Sequence, residues 1–106
     1  MLGANMPDLE NLKAEFAEDM RQLLMKEREV GLCSTRFLQM IEEHGAVEAA
    51  HRLLKPDREL PPIFEYLRRI GRTDLAMESY VAEDRYRSIF SEEERDIARW
   101  RLENGE

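Results

Sequence analysis

Apolar residues in the first third of the chain recur at Leu9, Leu12, Phe16, Met20, Leu23 and Leu24. Steps of three and four place them on one face of a long amphipathic helix. Pro7 suits a first helical position, and Asp8 and Glu10 lie well against the positive helix end. Lys26 and Arg28 then precede Gly31, which predicts the stop. The segment "CSTRFLQMIEEHG" predicts a second helix, capped by Ser34 or Thr35, with a wide apolar face of Phe37, Leu38, Met40 and Ile41. Gly45 closes it, and "AVEAAHRLL" begins a third helix at once. Its pattern points Val47, Ala50, Leu53 and Leu54 inward and leaves Glu48 and Arg52 at the surface.

Further along, "KPDRELPP" is a loop marked by Pro56, Pro61 and Pro62. "PPIFEYLRRIG" predicts a fourth helix opened by proline and stopped at Gly71. "TDLAMESYVAED" predicts a fifth, capped by Thr73, followed by a short helical turn around Tyr86 to Phe90. In "SEEERDIARWRLEN", Ser91 and Glu94 form a capping box, the strongest local signal in the chain. The core-facing positions of this last helix are Ile97, Ala98, Leu102 and the stem of Arg101. No run of β-branched residues alternates with polar ones, so no strand is predicted. The expected fold is all-α: a compact irregular bundle of five to seven mostly short helices with a longer N-terminal helix. Residues 1–106 read as a single helical domain, with 1–6 as a disordered tail.

Length and composition narrow the classes. The 106 residues allow one modest core. Apolar residues make up 42% and charged residues 37%, and no apolar run approaches the roughly 20 residues of a membrane span. Neither a membrane contact nor a signal peptide is expected. Cys33 is the only cysteine, which excludes an internal disulfide and favours a cytoplasmic setting. The net charge of −7 is unevenly distributed. Residues 1–50 carry −5 and residues 73–106 carry −5, whereas residues 51–72 carry +3. An acidic chain is repelled by a polyphosphate at long range, so any nucleic-acid contact must come from the basic middle segment.

Candidate chemistry is sparse. The Gly45 junction has the outline of a helix-turn-helix DNA reader, but Glu42, Glu43 and Glu48 stand where phosphate-binding cations are needed. A packing hairpin is the better reading, with Ala46, Ala49 and Ala50 allowing close approach. Glu48 and His51 are half of a carboxylate metal motif, but no second Glu-x-x-His pair exists, and they read as two polar surface residues. Cys33 has no third orienting group and reads as a half-buried structural thiol. Catalytic residues, a metal site and a cofactor are therefore not predicted. The candidate interaction residues are Arg52, Arg58, Arg68, Arg69 and Arg72, since arginine suits bidentate recognition of carboxylate or phosphate. The alternative is that cations at a helix end merely complement its dipole.

The stretches "STRFLQMIEEHGAVEAAHRLL", "GRTDLAMESYV" and "YRSIFSEEERDIARWRLENG" together resemble a family of small all-helical bacterial proteins of unknown function. The resemblance covers about residues 12 to 105. Ala46 stands where the family has a second glycine, Thr73 where it has leucine, and "LPPIFEYLRRI" replaces a segment with Gly-Phe and Leu-Trp. Family members occur alone or attached to restriction- or nuclease-like proteins. The resemblance therefore implies an accessory or interaction module in bacterial defence or nucleic-acid metabolism. The combined expectation is a non-enzymatic interaction or regulatory module acting through a protein partner or as a homodimer. The alternative is a nucleic-acid-associated accessory domain using segment 52–72.

Overall fold

The computed structural model describes residues 8–56 and 59–104. The tail expected over 1–6 and the candidate Arg58 lie outside them. Among the described residues six α-helices appear in chain order: α1 (Leu9–Glu29), α2 (Thr35–His44), α3 (Ala46–Leu53), α4 (Pro62–Arg69), α5 (Met77–Val81) and α6 (Glu92–Asn104). Two 3₁₀ turns, Thr73–Leu75 and Asp84–Tyr86, flank α5. No strand occurs among the described residues. The all-α bundle with a longer N-terminal helix is the fold observed.

α1 is the spine. Asp8 caps it by accepting from the Asn11 N–H at 3.2 Å, so Asp8 precedes the helix that begins at Leu9 instead of lying in its first turn. Phe16, Met20 and Leu23 are fully buried along one face. The α2–α3 hairpin leans on α1 through α3, and the α5–α6 pair leans on it through α5. Short helices gain stability this way, because none of them could persist alone. Phe16 is the common anchor, edge-on to Tyr86 at 5.2 Å and to Phe90 at 5.0 Å.

Three connections set the geometry. After α1, the Leu32 N–H donates to the Glu27 carbonyl at 2.8 Å and the Gly31 N–H to the Arg28 carbonyl at 3.0 Å. This is a Schellman closure, and it places Gly31 at φ 87°. After α4, the same pattern recurs with Arg72 to Leu67 and Gly71 to Arg68. Gly45 differs. It ends α2 and opens α3 at φ 87°, ψ 161°, a conformation that side-chain-bearing residues avoid. The hairpin then closes over Ala46, Ala49 and Ala50, all buried.

Several expectations need correction. Val47 and Leu53 are half-buried rather than buried, because α3 turns its alanine face to α1 and leaves those two at its edges; Leu54 is buried and Glu48 and Arg52 are exposed, as expected. The helix predicted over 73–84 is divided: Thr73 lies inside a 3₁₀ turn, and extended backbone at Ala76 precedes α5. The turn expected around Tyr86 begins two residues earlier, at Asp84. Ser34 occupies the α2 cap position but makes no capping bond. Its hydroxyl is used elsewhere, as described below. The capping box of α6 is present with both bonds at 3.0 Å.

Candidate functional site

The apolar stripe of α1 does not stop at Leu23. The next inward position, four residues on, is Glu27, which is only 2% exposed. α5 likewise turns Glu78 inward, and α6 turns Arg101 inward. These three charged side chains lie at the base of an open cavity of about 630 Å³. Its walls are apolar, built from Leu23, Leu32, Phe37, Leu53, Ile63 and Met77. Tyr66 holds α4 against the end of α1 by donating its hydroxyl to the Val30 carbonyl at 2.5 Å. Gly31 permits that approach, since a Cβ there would stand 3.2 Å from the Tyr66 oxygen. Cys33, Ser34, Thr35 and Arg36 complete the cavity at the start of α2.

The charges are not equivalent. Arg101 Nη1 donates to Glu78 Oε2 at 2.9 Å, with both groups removed from water. Burial raises the Glu78 carboxyl above its ordinary range, opposed by the Arg101 bond. Glu27 has no such cation among the described residues. Among the described residues its carboxyl accepts one hydrogen bond, from Ser34 Oγ at 2.8 Å. Burial pushes its pKa up to about 7; the Ser34 bond opposes this and the nearby Glu78 charge adds to it. The cavity therefore carries a carboxyl that changes charge near neutral pH. Cavities of this size with a few converging polar groups are where proteins bind ligands or partner side chains.

α2 borders the cavity and is itself unusual, because none of its residues is buried. Phe37, Leu38, Met40 and Ile41 are all half-buried, so the predicted apolar face is only partly covered. Leu38 also joins Leu24 and the exposed Met25 in a smaller groove of about 180 Å³ on the far side of Cys33.

Four of the candidate arginines, Arg52, Arg68, Arg69 and Arg72, lie elsewhere. Arg52 is on α3 and bonds Glu48 at 3.1 Å. Arg68 and Arg69 are exposed on the last turn of α4, with Arg69 3.7 Å from Glu65. Arg72 follows and grips both oxygens of Asp74 at 3.0 and 3.1 Å. None of these four lines the cavity. Cys33 is exposed rather than half-buried, because the reversal after α1 leaves it outside both helices; its sulfur lies 3.5 Å from Thr35 Oγ1. His51 is half-buried rather than a plain surface residue. Its Nδ1 is 2.6 Å from Glu94 Oε2, and its ring packs on Phe90 at 5.3 Å. Among the described residues no three His, Cys, Asp or Glu side chains gather as a metal site would require. Nor is any helix there long and apolar enough to cross a membrane.

Glu27, Glu78 and Arg101 were not predicted as a site. One signal was available: Phe16, Met20, Leu23 and Glu27 follow the same three-and-four spacing, so the glutamate continues the buried stripe. That Glu78 and Arg101 would meet had no local signal. No protein-family model, curated protein or solved structure matches the chain.

Proposed function

We propose that the protein is a non-enzymatic interaction module, and that its recognition site is the cavity at the end of α1 together with the adjoining face of α2. The observation that carries this reading is the apolar cavity bordered by a helix with no buried residue. Open apolar clefts bordered by a half-covered helix are suited to taking a partner's side chains. The partner is a basic protein rather than a second copy. The chain carries −7, so two copies repel each other while a cationic partner is attracted and steered. Recognition follows the helix-in-groove mode, in which an amphipathic helix lays its apolar face into the cleft.

Nucleic-acid association through segment 52–72 is the weaker alternative. Arg52, Arg69 and Arg72 each face a carboxylate of the same chain, which a phosphate would have to displace. An acid–base enzyme is a second reading with its own support, because a carboxyl with a pKa of about 7 in an apolar cavity is well suited to proton transfer. It ranks below binding because Glu78 is committed to Arg101 and no second acid or base stands free beside Glu27 among the described residues.

The test is titration of the chain with an apolar fluorescent dye and a set of amphipathic helical peptides, basic and acidic. The reading expects the dye to be displaced by basic peptides and this competition to be lost in Phe37→Asp, which places a charge on the cleft wall. Displacement by acidic peptides alone, or an unaltered titration in Phe37→Asp, would overturn it. Concentration-dependent dimerisation that blocks the dye would favour a second copy as occupant instead.

A further inference from the structure

The polar content of the cavity specifies more than an apolar occupant. An ionised carboxylate at the base of an apolar site is costly unless a cation meets it. Polar groups reach the cavity around Glu27 from each neighbouring element. Arg101 from α6 is taken by Glu78 from α5. Ser34, before α2, supplies one neutral donor. Tyr66 from α4 gives its proton to the Val30 carbonyl. Cys33 is at the rim, and Arg36, on the first turn of α2, is exposed at the mouth. The base of the cavity thus presents a carboxylate with no matching cation of its own among the described residues. A group that fits has methylenes for the walls and a positive donor at its tip. A lysine side chain has both.

We propose that the cavity is a lysine-accepting pocket: the partner helix inserts one lysine, its stem against Leu32 and Phe37 and its ammonium on the Glu27 carboxylate. This deepens the interaction reading above and rests on it. The occupant's charge discriminates it from an anionic one. A carboxylate or phosphate would meet Arg36 only at the wet mouth, where pairing is weak; at the base Arg101 is already bound to Glu78 and the Glu27 carboxylate would repel an anion. The pairing is also gated by pH. Glu27 is ionised above about pH 7 and neutral below it, while a lysine remains charged throughout.

The experiment is calorimetric titration of the full chain with n-octylamine, 1-octanol and octanoate at pH 5.5 and pH 8, and with an 18-residue leucine–lysine amphipathic peptide. Octylamine is expected to bind about tenfold tighter than octanol at pH 8, and the preference is expected to fade at pH 5.5. Octanoate is expected to bind weakest at pH 8. Glu27→Gln is expected to bind amine and alcohol alike and to lose affinity for the peptide, with circular dichroism confirming its fold. Ser34→Ala keeps the carboxylate but removes a bond that favours its ionised form, so the pH at which the amine preference appears should move upward. Equal binding of amine and alcohol by the native chain at pH 8, or a preference retained in Glu27→Gln, would overturn the lysine pocket while leaving the cavity a binding site. No binding of any probe or of the peptide would overturn the interaction reading as well.

Discussion

Arg101 on α6 and Glu78 on α5 are joined by a 2.9 Å ion pair whose side chains are only 3% and 5% exposed. Twenty-three residues apart in sequence, they tie the last helix to the shortest one beneath the cavity. Removing Arg101 leaves Glu78 as an uncompensated buried charge. Arg101→Met alone is therefore expected to cost about 3–5 kcal/mol, and the double variant Arg101→Met/Glu78→Leu to recover most of that loss. Urea denaturation measures both. A cost below about 1 kcal/mol for the single variant would mean that the pair is wetter than its exposure indicates.

Glu27 makes stability depend on pH in a stated direction. Its carboxyl ionises at about 7 when folded and at 4.5 in the ordinary case. Between these values the folded chain holds a proton that the unfolded chain has released. Stability from this group is therefore full below pH 4.5, falls as pH rises through the window, and is flat above about 7. Glu27→Gln should match the native chain near pH 4 and exceed it by about 1–3 kcal/mol at pH 8. Denaturation curves at pH 4, 6 and 8 give the comparison; a constant difference between the two chains would contradict it.

Glu94 serves two purposes at once. Its Oε1 accepts from the Ser91 N–H to complete the cap of α6, while its Oε2 meets His51 from α3. Ser91→Ala should cost about 1 kcal/mol. Glu94→Ala should cost more, since it also cuts the link between α3 and α6. A double-mutant cycle with His51→Ala isolates that link, and a coupling energy indistinguishable from zero would show that the contact contributes only the cap.

Gly45 is expected to resist substitution for backbone reasons alone. Nothing lies within 4 Å of where its Cβ would be, yet φ is 87° and ψ is 161°. Gly45→Ala should cost about 1–3 kcal/mol by strain. Incorporation of D-alanine, whose preferred angles are mirrored, should be tolerated. If both substitutions destabilise the protein equally, crowding rather than handedness governs the position.

The basic segment offers a separate check. Arg68→Ala/Arg69→Ala/Arg72→Ala should change stability by no more than about 0.5 kcal/mol, because all three side chains are exposed. If the segment binds nucleic acid, affinity must fall steeply with added salt and vanish in the triple variant. Binding that is insensitive to salt would rule out phosphate contacts.

Where the sequence was informative, the reason was locality. The Ser91–Glu94 box and the stops at Gly31, Gly45 and Gly71 depend on neighbours within about five residues, and each was legible. The same applies to the alanine face of α3. Ser34 shows the limit. Its position is that of a cap, but Glu27, seven residues back, takes its hydroxyl, because a buried carboxyl has the stronger need of a donor. Arg95 shows it again. It reads as one more charged residue on α6, yet its guanidinium is buried and donates to the Val81 and Ala82 carbonyls at 3.4 and 3.1 Å, closing the end of α5.

By itself, then, the sequence determined that this chain is helical, where glycine stops α1, α2 and α4, and that Phe16, Met20 and Leu23 face the core. Those features follow from periodicity and from bonds made within one or two turns of chain. Only the tertiary structure decided that Glu27, Glu78 and Arg101 share one cavity, that α2 keeps its apolar face half-open, and that Arg52, Arg68, Arg69 and Arg72 stand apart from the cavity. Each of these depends on how distant helices pack, and side-chain burial is a property of the assembled helices rather than of any one segment.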